Sequence, residues 1–263
     1  DYIDRGPEIL KTLSIVRSMV DNGAAQAILG NHELNAIAFH TSDPMDAGQH
    51  VRPHSQSNQV KIHETLSQLT NNQLMDSIEW LRSLPLWLEF EAFRVIHACW
   101  EQNAIDLLQQ FNGRPLTDDF VVRACKSTGD LHHAVDAILK GRKMDLPKGV
   151  SFCDSDNQVR RKARTRWFED PAGHSYASYS LSPETVQCDQ PLAAEVIQNA
   201  RPYELDERLL FVGHYRLKAS CPTTLAKNVV CVDWQPEGGR GLVAYRWSGE
   251  SECDSSHFFY AAA

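Results

Sequence analysis

Asp1, Asn31, His97 and His214 are the residues of this chain whose types and placement suit divalent-cation chemistry. Three of them follow short apolar runs: residues 27–29 lead through Gly30 to Asn31, residues 95–96 lead to His97, and residues 209–212 lead through Gly213 to His214. Apolar runs that each deliver an oxygen or imidazole donor at their carboxyl end are what a metal centre requires, because rigid elements can converge such donors on one point. A carboxylate can bridge two ions, a side-chain amide supplies a neutral oxygen, and imidazole suits zinc, iron or manganese. The set contains no thiolate, which fits a hydrolytic centre better than a structural zinc site. Taken singly, each residue is more often a cap or a satisfied polar group; their joint placement carries the metal reading. Asp4, Arg5 and His32 stand beside these donors and add an acid, a cation and an imidazole.

The elements that must position them are legible in outline. Over residues 7–22 the apolar positions Ile9, Leu13, Val16 and Val20 recur at three and four, with Pro7 at a first helical position and Gly23 as a stop, so a helix is expected. Residues 27–29 read as a buried strand, with the polar GNHE as a loop at its end. Strand end, helix and strand in that order predict a parallel βαβ unit with its chemistry beyond the strand ends. Residues 41–58 are rich in turn formers and predict a long loop, in which Arg52 and His54 are placed to line an entrance. Residues 61–84 and 104–139 favour helices, so 41–150 reads as a loop and helical insertion within a single domain spanning 1–263. The segment VRRKARTRWFEDP predicts a strand with a basic face made by Arg160, Arg161, Arg164 and Arg166. Residues 229–234 and 242–247, separated by the glycine-rich stretch 237–241, predict a hairpin.

Composition narrows the function classes. A formal charge of -8 argues against a protein that wraps nucleic acid through a basic face. No apolar stretch approaches the ~18 residues of a membrane span, so no membrane partner is expected. The seven cysteines include no CxxC pair, so neither a disulfide framework nor a zinc ribbon is suggested and a reducing, cytoplasmic compartment is expected.

The blocks DYIDRG, GNHE, IHACW and GHYR follow one another in the order and type of the signature blocks of calcineurin-like metallophosphoesterases, which this chain resembles. The likeness is greatest to the branch holding serine/threonine phosphoprotein phosphatases and bacterial diadenosine tetraphosphatases. It covers most of the chain, although only the blocks are specific. It implies an α/β fold of two facing mixed sheets flanked by helices. It also implies two divalent metal ions, whether manganese, iron or zinc, that activate a water for attack on a phosphomonoester or phosphoanhydride. On this resemblance Asp1 bridges the metals, and Asn31, His97 and His214 complete the shell of the second. His32 protonates the leaving oxygen, Asp4 orients His32, and Arg5 grips the phosphate, joined by Arg164 or Arg166. The substrate is then a phosphoprotein or a nucleoside polyphosphate. The family carries an earlier GDxHG block that this sequence lacks, so an N-terminally truncated chain is expected. Relatives also have glycine soon after the histidine of IHACW, where Ala98 and Cys99 stand. Cys99 is expected to be a buried, inert thiol. A non-catalytic binding or regulatory domain on the same fold is the reading from another class.

Overall fold

The computed structural model describes residues 1–126, 128–153, 158–182, 184–235 and 241–262. Its helices and strands place it in the α/β class, and the chain divides into two compact units. The first comprises Asp1–Glu89, Val95–His97 and Gln102–Leu139; the second comprises Phe90–Arg94, Ala98–Glu101 and Lys140–Ala263.

The first unit is mostly helical, with α1 (Ile9–Asp21), α2 (Asn31–His40), α3 (Gln56–Gln68), α4 (Asn71–Arg82), β1 (Trp87–Glu89), β2 (Phe93–Ile96), α5 (Gln102–Leu108), α6 (Asp118–Cys125) and α7 (Asp130–Lys140). Strand β2 straddles the division between the units. Helix α2 lies at the centre, packed on α4 and α6. It buries Glu33, Leu34, Ala36, Ile37, Ala38 and Phe39. A helix buried on most of its faces loses the one-sided apolar stripe by which helices are recognised, so α2 carries no helical signature in its sequence. Each large apolar side chain buried there contributes about 1.5–3 kcal/mol, and Ile37 is fully buried. Several helices start on side-chain caps: Ser55 for α3, a Thr70–Gln73 capping box for α4, and Thr117 for α6.

Four local expectations are corrected here. Helix α1 begins at Ile9 with Glu8 as its N-cap, so Pro7 lies before the helix and not in its first turn. Residues 27–29 form no strand. Leu29 N donates to Pro85 O at 2.8 Å and Ile28 O accepts the Tyr2 hydroxyl at 3.1 Å, so a loop and a side chain hold them where a ladder was expected. With that strand goes the expected βαβ unit. GNHE is not a loop: Gly30 caps α2, and Asn31, His32 and Glu33 form its first turn. The loop after α2 ends at the Ser55 cap, so residues 56–58 are already helical.

The second unit holds β3 (Lys143–Asp145), β4 (Phe152–Cys153), β5 (Val159–Arg160), β6 (Lys162–Arg164), α8 (Ala194–Asn199), β7 (Leu209–Val212), β8 (Leu217–Lys218), β9 (Val229–Cys231), β10 (Trp234–Gln235), β11 (Gly241–Tyr245) and β12 (Phe258–Ala262). Strands β7 and β9 pair in parallel, with Leu210 opposite Val229 and Val212 opposite Cys231. All three residues of β9 are buried, as parallel strands usually are. The basic segment forms two short strands, β5 and β6, which pair antiparallel with β4 and β3. Met144, Ala163, Tyr176, Tyr179, Val186, Cys188 and Leu192 pack together behind them. The expected late hairpin is not formed, because β11 pairs antiparallel with β12 while β9 and β10 pair in parallel with β7 and β8. Residues 237–240 of the expected turn lie outside the described residues.

Candidate active site

In the first unit, the chain from Asp1 to Gly6 lies against the N-terminus of α2. The first N–H groups of a helix have no partner within it, and Gly30 has no side chain with which to cap them. Asp1 supplies the missing acceptor: its Oδ1 takes the His32 N–H at 3.2 Å. A carboxylate at this end of a helix is also favoured by the helix dipole. The same Oδ1 lies 3.5 Å from His97 Nε2, which in turn lies 3.0 Å from Asn31 Oδ1. An oxygen of Asp1, an oxygen of Asn31 and an imidazole nitrogen therefore converge. Such a cluster of lone pairs is satisfied either by a proton on His97 Nε2 or by a cation.

Gly30 makes this approach possible. A Cβ at this position would collide with Asp1 Oδ1 and lie 2.5 Å from Glu33 Oε2 and 3.0 Å from His97 Cε1. Glu33 is fully buried. Its Oε1 accepts from the Tyr2 and Ile3 N–H groups at 2.6 and 3.4 Å, whereas its Oε2 has no hydrogen-bond partner among the described residues. Burial, with the Glu33 charge adding to it, pushes the Tyr2 hydroxyl up to about 12. A buried, unpaired carboxylate oxygen beside converging donors is costly unless positive charge is brought to it. Among the described residues no group of three or more His, Cys, Asp or Glu side chains is set to hold a metal ion. The convergent set has two such residues plus the Asn31 amide, and its hard oxygens and one imidazole match the chemistry of a catalytic divalent cation.

Beside it, His32 Nδ1 and Asp4 Oδ2 are 2.6 Å apart, with both side chains largely buried. The other Asp4 oxygen accepts from Thr65 Oγ1 at 2.6 Å, and Thr65 Oγ1 accepts from Asp4 N at 3.0 Å. The Asp4 carboxylate thus holds a proton on Nδ1 and leaves Nε2 as the nitrogen that can take up or deliver one. Asp4 and Arg5 have φ of 63° and 56°, a left-handed turn that costs non-glycine residues on the order of 1–3 kcal/mol each. Helix α3 holds that turn: Gln68 Nε2 donates to Gly6 O and Gln68 Oε1 accepts from Ile9 N, both at 2.8 Å. Arg5 is exposed. Thr65, Gln68 and Glu33 position this site but were not anticipated, and the only signal for the first two was their three-residue spacing on one helix.

In the second unit, His214 follows β7 after Gly213, and its Nε2 accepts from Arg164 Nη2 at 2.9 Å. His214 and Arg216 have φ of 70° and 51°, so among the described residues the four non-glycine positions with positive φ lie in the DRG and GHYR blocks. Tyr215 and Asp233 fix the GHYR turn. The buried Tyr215 hydroxyl donates to Ala98 O and accepts from Trp167 Nε1, both at 2.7 Å. Asp233 Oδ2 accepts from Arg216 N at 2.9 Å. Arg166 is engaged elsewhere, as a fork with Glu169 at 2.7 and 2.6 Å. Cys99 is buried, and burial raises its thiol well above the ordinary range. The structure therefore gathers Asp1, Asn31, His97, Asp4 and His32 in one unit and Arg164 with His214 in the other.

No family model matches the chain. It is 36% identical over 99 residues to the symmetrical bis(5'-nucleosyl)-tetraphosphatase of Aromatoleum aromaticum, a match that covers 37% of this chain and 31% of the relative. It is 33% identical over 96 residues to the protein of the same name from Shewanella baltica, covering 36% of this chain and 30% of the relative. A third, from Shewanella sp. strain MR-7, is 32% identical over 114 residues, covering 42% and 36%. The matches span about a third of the length of these relatives.

Proposed function

We propose that this chain carries the acid half of a nucleoside polyphosphate hydrolase that splits a dinucleoside tetraphosphate symmetrically. The observation that carries the reading is the His32–Asp4 pair at 2.6 Å beside the convergent atoms of Asp1, Asn31 and His97. The relatives' names point to the substrate class.

Asp1, Asn31 and His97 would hold a divalent cation, with manganese, iron or zinc as the metal. When bound, such ions lower the pKa of a water and neutralise phosphoryl oxygens. The remaining work falls to the protein. Water adds to a phosphorus of the central anhydride, the bridging P–O bond breaks, and the leaving phosphate oxygen takes the proton from His32 Nε2. Asp4 keeps the imidazole turned so that Nε2 faces out, and it stabilises the imidazolium before the proton leaves. Arg5, exposed on the adjacent turn, offers two parallel N–H groups to phosphate oxygens. Arg166 is paired with Glu169 and Arg164 with His214, so partnering does not choose between them as the second phosphate contact that the resemblance names. The two-sheet αββα arrangement and a cytoplasmic setting belong to the same proposal. Seven free thiols agree with a reducing compartment. Phosphoprotein hydrolysis uses the same residues and is the second substrate class to assay. An assembled imidazole–carboxylate pair favours catalysis over a purely binding role.

The test is hydrolysis of diadenosine tetraphosphate by the manganese-loaded full gene product, followed by chromatography of the products. Two adenosine diphosphates per substrate support the reading, whereas turnover of a phosphoserine peptide alone would replace it with the phosphoprotein class.

A further inference from the structure

Phe39, in the last turn of α2, stacks on the ring of His54, with centroids 3.7 Å apart and planes 12° from parallel. His54 stacks in turn on His50, at 4.1 Å and 15°. His50 ends this column. It is half-buried and has no ring on its other side among the described residues.

The backbone around the column is pinned. Val51 N donates to Thr41 O, Arg52 N to Ala38 O and Asp43 N to Gln49 O, all at 2.9 Å. His54 Nε2 donates to Phe39 O at 2.8 Å, which clamps the middle ring. The Asp43 carboxylate pairs with Lys126. Between the two stacked histidines, Arg52 turns back to α2 and donates to Asn35 Oδ1 at 2.9 Å. Burial lowers the Arg52 guanidinium against smaller opposing pulls from Cys125 and Asp4.

Asn31, Asn35 and Phe39 recur every four residues and so share one stripe of α2. His32 and Phe39 are then separated by about 10 Å along the helix axis. Phe39 is the buried root of the column, and His50 lies two rings beyond it. We propose that the Phe39–His54–His50 column is a nucleobase-stacking subsite, with Arg52 beside the phosphate chain that runs from it towards His32. The occupant is the purine of a nucleoside polyphosphate, stacked on the ring of His50. This rests on the nucleotide reading above and specifies how that substrate is recognised.

The test is a fluorescence titration of the full gene product with ethenoadenosine 5′-triphosphate, whose emission responds to stacking, using inorganic tripolyphosphate as a base-free competitor. In His50→Ala the nucleotide affinity falls about 5- to 100-fold relative to that of tripolyphosphate, and His50→Tyr, which restores a ring, recovers it. Unchanged nucleotide affinity in His50→Ala overturns the subsite. Equal loss for both ligands overturns it as well, because the ring then only shapes the loop. A wild-type protein that hydrolyses diadenosine tetraphosphate with a KM untouched by His50→Ala loses the subsite but keeps the hydrolase reading. A wild-type protein that binds ethenoadenosine 5′-triphosphate with ring-dependent affinity but turns over no phosphoester keeps the subsite and loses the reaction.

Discussion

A histidine delivers a proton to a chosen atom only if its ring is held, and His32 is held by a carboxylate that is itself held. Asp4 has one oxygen on His32 and the other on Thr65, so neither is free to wander. General-acid catalysis contributes about 10²–10⁴-fold, and His32→Ala should lose that factor in kcat for a substrate whose leaving group needs protonation. With p-nitrophenyl phosphate, whose leaving group is already good, the loss should be much smaller. An equal loss on both substrates would mean that His32 acts in binding and not as an acid. Gly30 makes a second residue-scale prediction. Because a methyl group there would strike Asp1 and press on Glu33 and His97, Gly30→Ala should abolish activity and lower manganese affinity measured by calorimetry. Wild-type metal binding in that variant would show that the convergence of Asp1, Asn31 and His97 does not hold the ion.

The elements that place these residues were only partly legible in the sequence, for reasons that can be named. Helix α1, the helices of 61–84 and 104–139, and the strands before His97 and His214 declare themselves through periodicity or through short apolar runs between turn residues. Helix α2 does not, because it is buried on several faces and its first turn is the polar NHE, which reads as a loop. Residues 27–29 have strand composition, but a loop carbonyl and the Tyr2 hydroxyl take up their hydrogen bonds. The candidate residues themselves were legible as motifs; the side chains that hold them were not. Thr65 is marked in the sequence only by its three-residue spacing from Gln68, and its role is tested by Thr65→Val, which keeps the shape and removes the hydroxyl. Loss of a buried hydrogen bond to a carboxylate should cost about 1.5–3 kcal/mol, seen as a lower urea midpoint, with kcat falling while KM stays near wild type. The matching test in the second unit is Tyr215→Phe. It leaves the Trp167 N–H and the Ala98 carbonyl without their partner, so stability should drop by about 1–3 kcal/mol; no change would mean that water or another group replaces the hydroxyl.

At the scale of the whole molecule, two compact units each carry part of the motif set, and among the described residues the four strained non-glycine positions fall in those motifs. Strain kept in this way is usually tied to function, because a fold would otherwise relax it. The cysteines report independently on the packing. Cys99, Cys188 and Cys231 are buried, whereas Cys153 and Cys221 are exposed. Burial pushes the Cys231 thiol up to about 12, and a thiol reacts only as its thiolate. Iodoacetamide on the native protein should therefore modify Cys153 and Cys221 within minutes and spare Cys99, Cys188 and Cys231 until denaturant is added. Rapid labelling of Cys99 under native conditions would contradict the packing around IHACW.

The central claim is that His32, aimed by Asp4, delivers the proton to the leaving oxygen of a nucleoside polyphosphate. Single-turnover hydrolysis of diadenosine tetraphosphate by the manganese-loaded full gene product tests it most directly, with wild type, His32→Ala and Asp4→Asn measured side by side. The account predicts symmetrical cleavage by wild type, and a loss of about 10²–10⁴-fold in the chemical step for His32→Ala with a comparable loss for Asp4→Asn, the two effects far from additive because the residues act as a pair. Wild-type rates in either variant, or no cleavage by the metal-loaded wild type, would contradict it.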